Sequence, residues 1–267
     1  VPATTGQPDW RSDYRWKRWL PARNAVPLER GYRVPEAGRP VPPSRLAEID
    51  AERFIQLEGY VQKLGTRNID LAICLDTTTS MWSHLADAQG GIDDLLRFVG
   101  DMSASVRIAI IAYRDARDRS YETKMMPLSF DHSLARRFLW SLVASGGGDE
   151  PESVHAALEL AFKGLQWSEQ APRVVVLVGD APPQIGTAGR CEAIARRGAE
   201  FGWVTHAIQA GGDEVDHFKA IASAGGGQCV TLVRNGSVIA EITGLTIGDQ
   251  FAEEMDEFFN TYLALCR

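Results

Sequence analysis

Asp76, Thr78 and Ser80 set three oxygen-bearing side chains at alternate positions directly after the apolar run 69–75. A carboxylate and two hydroxyls are all hard oxygen donors, a set that suits magnesium, manganese or calcium over zinc or copper. Hydroxyls are weak, neutral ligands, so further acidic groups must come from other parts of the chain. Asp180 stands after Gly179 at the end of a second apolar run, 174–178, and Asp149 lies in the glycine-rich stretch 145–151, with Glu152 as a substitute three residues on. Glycines 146–148 carry no Cβ and let the backbone approach an ion and its waters closely. The competing reading of residues 76–80 is a helix cap, for which one Asp, Thr or Ser suffices.

The elements that must position these residues follow from the hydrophobic pattern. After Ser44, Leu46, Ile49, Phe54, Leu57, Val61 and Leu64 recur near the helical repeat, and Gly65 closes the segment. Strand 71–75 then leads to a helix carrying Leu85, Ile92, Leu95, Leu96 and Val99, followed by strands 106–112 and 124–128 and a helix over 133–143. The glycine-rich stretch opens a helix with Pro151 in its first turn, where a missing N–H is tolerated, and with Val154, Leu158, Ala161 and Leu165 on one face. Strand 174–178, helix 190–201, strand 204–208, helix 214–224, a bend at 225–227, strand 229–232 and a last helix over 248–265 complete the chain. Apolar strands separated by amphipathic helices mean a parallel sheet covered on both faces. In such sheets ligands bind at the carboxyl ends of the strands, where Asp76 and Asp180 fall.

Residues 1–43 differ in kind. They hold eight of the thirteen prolines, together with Trp10, Trp16 and Trp19 among Arg11, Arg15, Lys17 and Arg18. Proline at that density predicts an extended arm whose tryptophans pack on the following domain or on a partner. The expected organisation is an arm over 1–43, a helix over 44–65 and an α/β domain over 66–267. A net charge of −7 argues against nucleic acid as the main partner. No apolar run is long enough to span a bilayer. Cys74, Cys191, Cys229 and Cys266 lack metal-ligand spacing, and the five histidines are dispersed, so both sets read as ordinary thiols and imidazoles. The charge run 114–119 reads as a solvated turn bordering the strand ends. A first residue of valine and the extended arm favour a periplasmic or secreted chain, with a cytoplasmic location as the alternative.

Four segments, Asp76-Thr77-Thr78-Thr79-Ser80-Met81, Ala112-Tyr113-Arg114-Asp115, Gly146-Gly147-Gly148-Asp149-Glu150-Pro151-Glu152 and Gly179-Asp180-Ala181-Pro182-Pro183, resemble von Willebrand factor type A (vWA) domains. The likeness is to the branch with Asp-x-Thr-x-Ser-Met and Gly-Asp-Ala-Pro-Pro motifs, and it covers roughly 66–265. The resemblance implies a three-layer, doubly wound, Rossmann-like fold with a mostly parallel six-stranded sheet. It also implies a metal-ion-dependent adhesion site (MIDAS) with Asp76, Thr78 and Ser80 as direct ligands, and a last helix able to slide. Thr79 stands where the family often has glycine, and its side chain is expected to point away from the ion. Asp149 stands where integrin-type members have threonine, and a charged oxygen there leaves the ion less positive charge for a partner's carboxylate.

The sequence therefore reads as a metal-binding interaction module and not an enzyme, with magnesium (or manganese or calcium) held by Asp76, Thr78, Ser80, Asp149 and Asp180 and presented to a protein ligand. Oligomeric state is left open. A haloacid-dehalogenase-like phosphatase needs a second aspartate two residues after the first, and Thr78 stands there. A dinucleotide site needs a glycine fingerprint after the first strand, which is missing. A scaffold with a vestigial metal site, acting through the N-terminal arm, is the third alternative.

Overall fold

Strand β1 (Asn68–Asp76) is buried from Ile69 to its last residue, as only a strand covered on both faces and paired on both edges can be. In the computed structural model, which describes residues 51–147, 151–210, 216–232, 237–248, 251, 254, 255 and 259, β1 pairs in parallel with β2 (Ser105–Tyr113) on one side and β4 (Arg173–Gly179) on the other. Beyond them lie β3 (Thr123–Ser129), β5 (Trp203–Gln209) and β6 (Gly226–Thr231), giving the order β3-β2-β1-β4-β5-β6 with β3 alone antiparallel. The expected six-stranded, mostly parallel sheet is what forms. Its register puts Asp76 beside Tyr113 and Leu75 beside Val178 at the carboxyl edge.

Alternate residues of the strands serve two cores. Leu71, Ile73, Leu75, Ile108, Ile110, Val174 and Val176 meet α1 (Ala51–Leu64), α2 (Trp82–Met102), α3 (His132–Trp140) and α7 (Val238–Ile247). Ala72, Cys74, Ala109, Ile111, Val175 and Leu177 meet α4 (Val154–Gly164), α5 (Ala188–Glu200) and α6 (Asp216–Ala224). Leu57, Val61 and Leu64 sew α1 into the first core. Cys74 and Cys191 are free thiols that burial pushes up to about 12, which keeps them protonated and unreactive.

Several expectations shift. The helix over 133–143 ends at Trp140. Helix α4 begins at Val154, leaving Pro151 outside it, because Glu152 is drawn into a bridge with Pro183. Gly226 and Gly227 belong to β6 rather than to a bend before it; the missing side chain of Gly227 lets that strand crowd the Thr205 backbone. Helix α7 has no counterpart in the sequence reading: it is rich in β-branched residues and buried on most of its circumference, so its amphipathic signal is weak. It approaches α2 closely because Gly91 has no Cβ, and one placed there would lie 3.0 Å from Ile239. The helix over 248–265 lies largely outside the described residues, although Phe251, Met255 and Phe259 are buried in the first core.

Candidate metal site

The last residue of β1, Asp76, is fully buried. Its Oδ1 accepts the Thr78 amide at 2.8 Å and the Thr78 hydroxyl at 2.7 Å, and Thr78 Oγ1 stands 3.3 Å from Ser80 Oγ. Asp76 Oδ2 is buried without a hydrogen-bond partner. These side chains cap nothing: neither the single 3-10 turn Thr79–Met81 nor α2 after it receives a side-chain hydrogen bond at its N-cap. The helix-cap reading fails, and the three oxygens face one another instead. Desolvation by burial raises the Asp76 carboxyl from 3.8 to about 7; the two Thr78 hydrogen bonds oppose this, Asp180 adds to it, and Arg114 opposes it.

Asp180 follows β4 at the same sheet edge, and its Oδ1 is also buried without a partner. Between the two strand ends runs the Tyr113 phenol, which donates to the Val178 carbonyl at 3.0 Å. Burial, then the charges of Asp76, Cys74, Asp180 and Glu152, hold that phenol well above its ordinary pKa, so it is a neutral donor under the site.

The middle loop is tied to the first. Thr79 donates to the Gly146 carbonyl through its hydroxyl at 2.8 Å and its amide at 3.3 Å, while the Ser145 amide donates to the Thr77 carbonyl at 3.1 Å. Thr79 thus points to the neighbouring loop. Gly147 has φ +69°, and a Cβ on it would lie 2.7 Å from Thr78 Cβ and 3.1 Å from Glu152 Oε1. That glycine therefore serves both conformation and close approach. Asp149 lies outside the described residues. Glu152, three residues on, is buried with its carboxylate beside Thr78; its amide donates to the Pro182 carbonyl at 2.9 Å and its carbonyl accepts from the Gln184 amide at 2.9 Å. The middle loop is thereby clasped to the Asp180 loop.

The expectation of a solvated turn over 114–119 is corrected at its start, since Arg114 and Asp115 are both buried. Arg114 donates to Thr77 Oγ1 at 3.2 Å, to Ser120 Oγ at 2.6 Å and to the Val143 carbonyl, pairs with Asp118 at 3.6 Å and stacks on Tyr121 at 4.2 Å. One planar fork thus laces three loops, which a lysine could not do. Sequence reasoning missed it; the available signal was that Arg114 follows the apolar run 108–113 with no turn residue between. Among the described residues no three of His, Cys, Asp and Glu stand close enough to hold one ion together. A cation here would rely on hydroxyls and waters as well as on carboxylates, and the all-oxygen donors with their unpartnered buried atoms fit a hard cation.

These features define a vWA-type fold, with Asp76, Thr78, Ser80, Glu152 and Asp180 at its sheet edge. No family profile matches the chain. Among solved structures, it is similar to the conserved hypothetical protein BatB from Bacteroides thetaiotaomicron (17% identity, TM-score 0.50, covering 70% of this chain and 98% of that one). It is similar to proximal thread matrix protein 1 of the mussel byssus, solved with a zinc-occupied MIDAS motif (14% identity, TM-score 0.52, 73% of this chain, 46% of that one). It is also similar to the VWA domain of SpRpn10 (10% identity, TM-score 0.52, 66% of this chain, 94% of that one). At these identities the likeness establishes the fold. Among curated proteins, a putative ariadne-like RING finger protein of Acanthamoeba polyphaga mimivirus is 31% identical over 115 residues, 43% of this chain and only 11% of that protein's length.

Proposed function

We propose that the chain is a metal-dependent protein-interaction module, not an enzyme. Asp76, Thr78, Ser80 and Asp180 hold a divalent cation, magnesium or else manganese or calcium, with the middle-loop charge supplied by Asp149 or, in its place, Glu152. The observation that carries this reading is the pair of buried, unpartnered carboxylate oxygens, Asp76 Oδ2 and Asp180 Oδ1, at one sheet edge. Buried polar atoms are rarely left unsatisfied, because each costs about 1–3 kcal/mol, and a cation would satisfy both. The ion would supply positive charge; the chain's own residues orient it, with Thr78 fixed by Asp76, Thr79 by Gly146, and the outer loops by Arg114. A protein ligand would reach the ion directly or through its waters.

The division into arm, leading helix and domain belongs to the same proposal, as does an exported location, which cell fractionation would check. Among the described residues no helix is long and apolar enough to cross a membrane. The deciding experiment is calorimetric titration of magnesium and manganese into the full chain and its Asp76→Ala variant. Binding heat in the parent and none in the variant is expected; equal heats would remove the site as assigned.

A further inference from the structure

We propose that the loop face around this site docks a basic, aromatic segment, and that its occupant is the chain's own residues 10–19. This deepens the metal-site reading and rests on it for the charge of the face, but is tested separately.

Two properties of the face select the occupant. The first is an apolar rim: each loop carrying candidate ligands exposes one large apolar side chain. Trp82, two residues after Ser80, is 68% exposed; Val143, whose carbonyl Arg114 holds, is 67% exposed; Ile185, five residues after Asp180, is 93% exposed. The loops are tied together by the Thr79–Gly146, Ser145–Thr77 and Glu152–Pro182 hydrogen bonds, so the three side chains rise from one laced surface. Exposed apolar groups gathered on one face mark an interaction site.

The second is charge. Asp76, Glu152 and Asp180 all act on Tyr113, and three carboxylates outweigh the charge of one divalent ion. Arg114, the buried cation beside them, is already paired with Asp118. A loaded site of this composition does not attract a carboxylate; it accepts neutral or cationic groups.

Residues 10–19 supply the complement. Trp10, Trp16 and Trp19 alternate with Arg11, Arg15, Lys17 and Arg18, against a single acid, Asp13. Residues 1–43 hold eight basic and four acidic residues, whereas the remainder holds 20 basic and 31 acidic. Charge is thus partitioned between arm and domain as two docking surfaces require. Reach is no obstacle: the roughly 30 residues between this segment and α1 extend to about 100 Å, against a radius of gyration near 17 Å for a domain of this size.

The test uses the full chain with Trp16→p-benzoylphenylalanine, illuminated when dilute and mapped by peptide mass spectrometry. Crosslinks within one molecule to 79–84, 142–147 or 181–187 are expected. A several-fold loss of yield is expected for Trp82→Ser with Ile185→Ser, exposed changes that leave the circular dichroism unaltered, and for Arg15→Glu with Lys17→Glu and Arg18→Glu. Crosslinks to another face, crosslinks between copies only, or none at all would overturn the proposal. Parallel samples in EDTA and in magnesium separate it from the metal reading: crosslinks in both, with no binding heat for magnesium, would sustain the docking and remove the ion.

Discussion

Replacing Asp76 by asparagine isolates the electrostatic cost of burying this carboxylate. The parent carboxyl is raised to about 7 from 3.8, chiefly by desolvation, so the folded state favours its neutral form. A group raised in this way stabilises the fold fully below its ordinary value, and that stabilisation is lost as pH rises through about 7. A shift of this size is worth about 4 kcal/mol at most, and about 2 kcal/mol of it is lost between roughly pH 5.5 and pH 8. Asparagine keeps an oxygen to accept the Thr78 amide and hydroxyl but cannot ionise. In EDTA near pH 8, Asp76→Asn is therefore expected to be more stable than the parent by up to about 4 kcal/mol, with a flatter pH profile over that window. The assay is urea denaturation followed by circular dichroism at both pH values. Magnesium should then close that gap, because a ligand at about 1,000 times its Kd adds about 4.1 kcal/mol to the parent alone. A variant no more stable than the parent near pH 8 in EDTA would refute the account of Asp76 as a buried, uncompensated charge.

Three further outcomes follow from the same geometry. Gly147→Ala must hold φ +69° and seat a Cβ against Thr78 and Glu152, so it should lower magnesium affinity at least about tenfold, or 1.4 kcal/mol, by calorimetry, with a stability cost of about 1–2 kcal/mol. Arg114→Lys keeps the charge but loses the fork that holds Thr77, Ser120 and Val143, so urea denaturation should show a loss of about 2–3 kcal/mol and limited proteolysis should cut faster within 115–121. Asp70→Ala, at the opposite edge, removes the Arg107 pair and the Ser168 amide contact; it should cost about 3 kcal/mol while leaving magnesium affinity unchanged, which makes it the control for indirect effects.

The centre of the sheet was legible because its strands are largely apolar on both faces and β1, β4 and β5 are each followed by an amphipathic stretch. Elements without that contrast were harder to place. Helix α7 is apolar nearly all round, so periodicity had nothing to register, and its fit against Gly91 is a tertiary fact. Asp76, Thr78, Ser80 and Asp180 could be nominated because strand ends are fixed by the pattern, and the structure brings all four to one edge. Glu152 was only a substitute in the sequence, since a helix starting at Pro151 gives no reason for it to turn inward. The bridge to Pro183 supplies that reason, and it depends on two loops meeting. Arg114 was misread for the same cause: alternating charges look solvated until the acceptors of three separate loops are seen to converge on one guanidinium.

The lacing also bears on the proposed role of this edge, to hold an ion and not to turn over a substrate. Asp76 ends the central strand, flanked by Tyr113 and the end of β4, with the Tyr113 hydroxyl closing the floor onto Val178. The Thr78 hydroxyl donates to Asp76, and Arg114 is engaged in full, so the groups nearest the site spend their donors on position. Proton transfer would need a group left poised near neutral pH and within reach of a reacting atom. The carboxyl raised to about 7 is the buried Asp76 itself, at the bottom of the site, and a cation bound above it would hold it ionised. A stiff floor, orphaned oxygens and an exposed apolar rim are the features on which the proposed metal-dependent interaction rests.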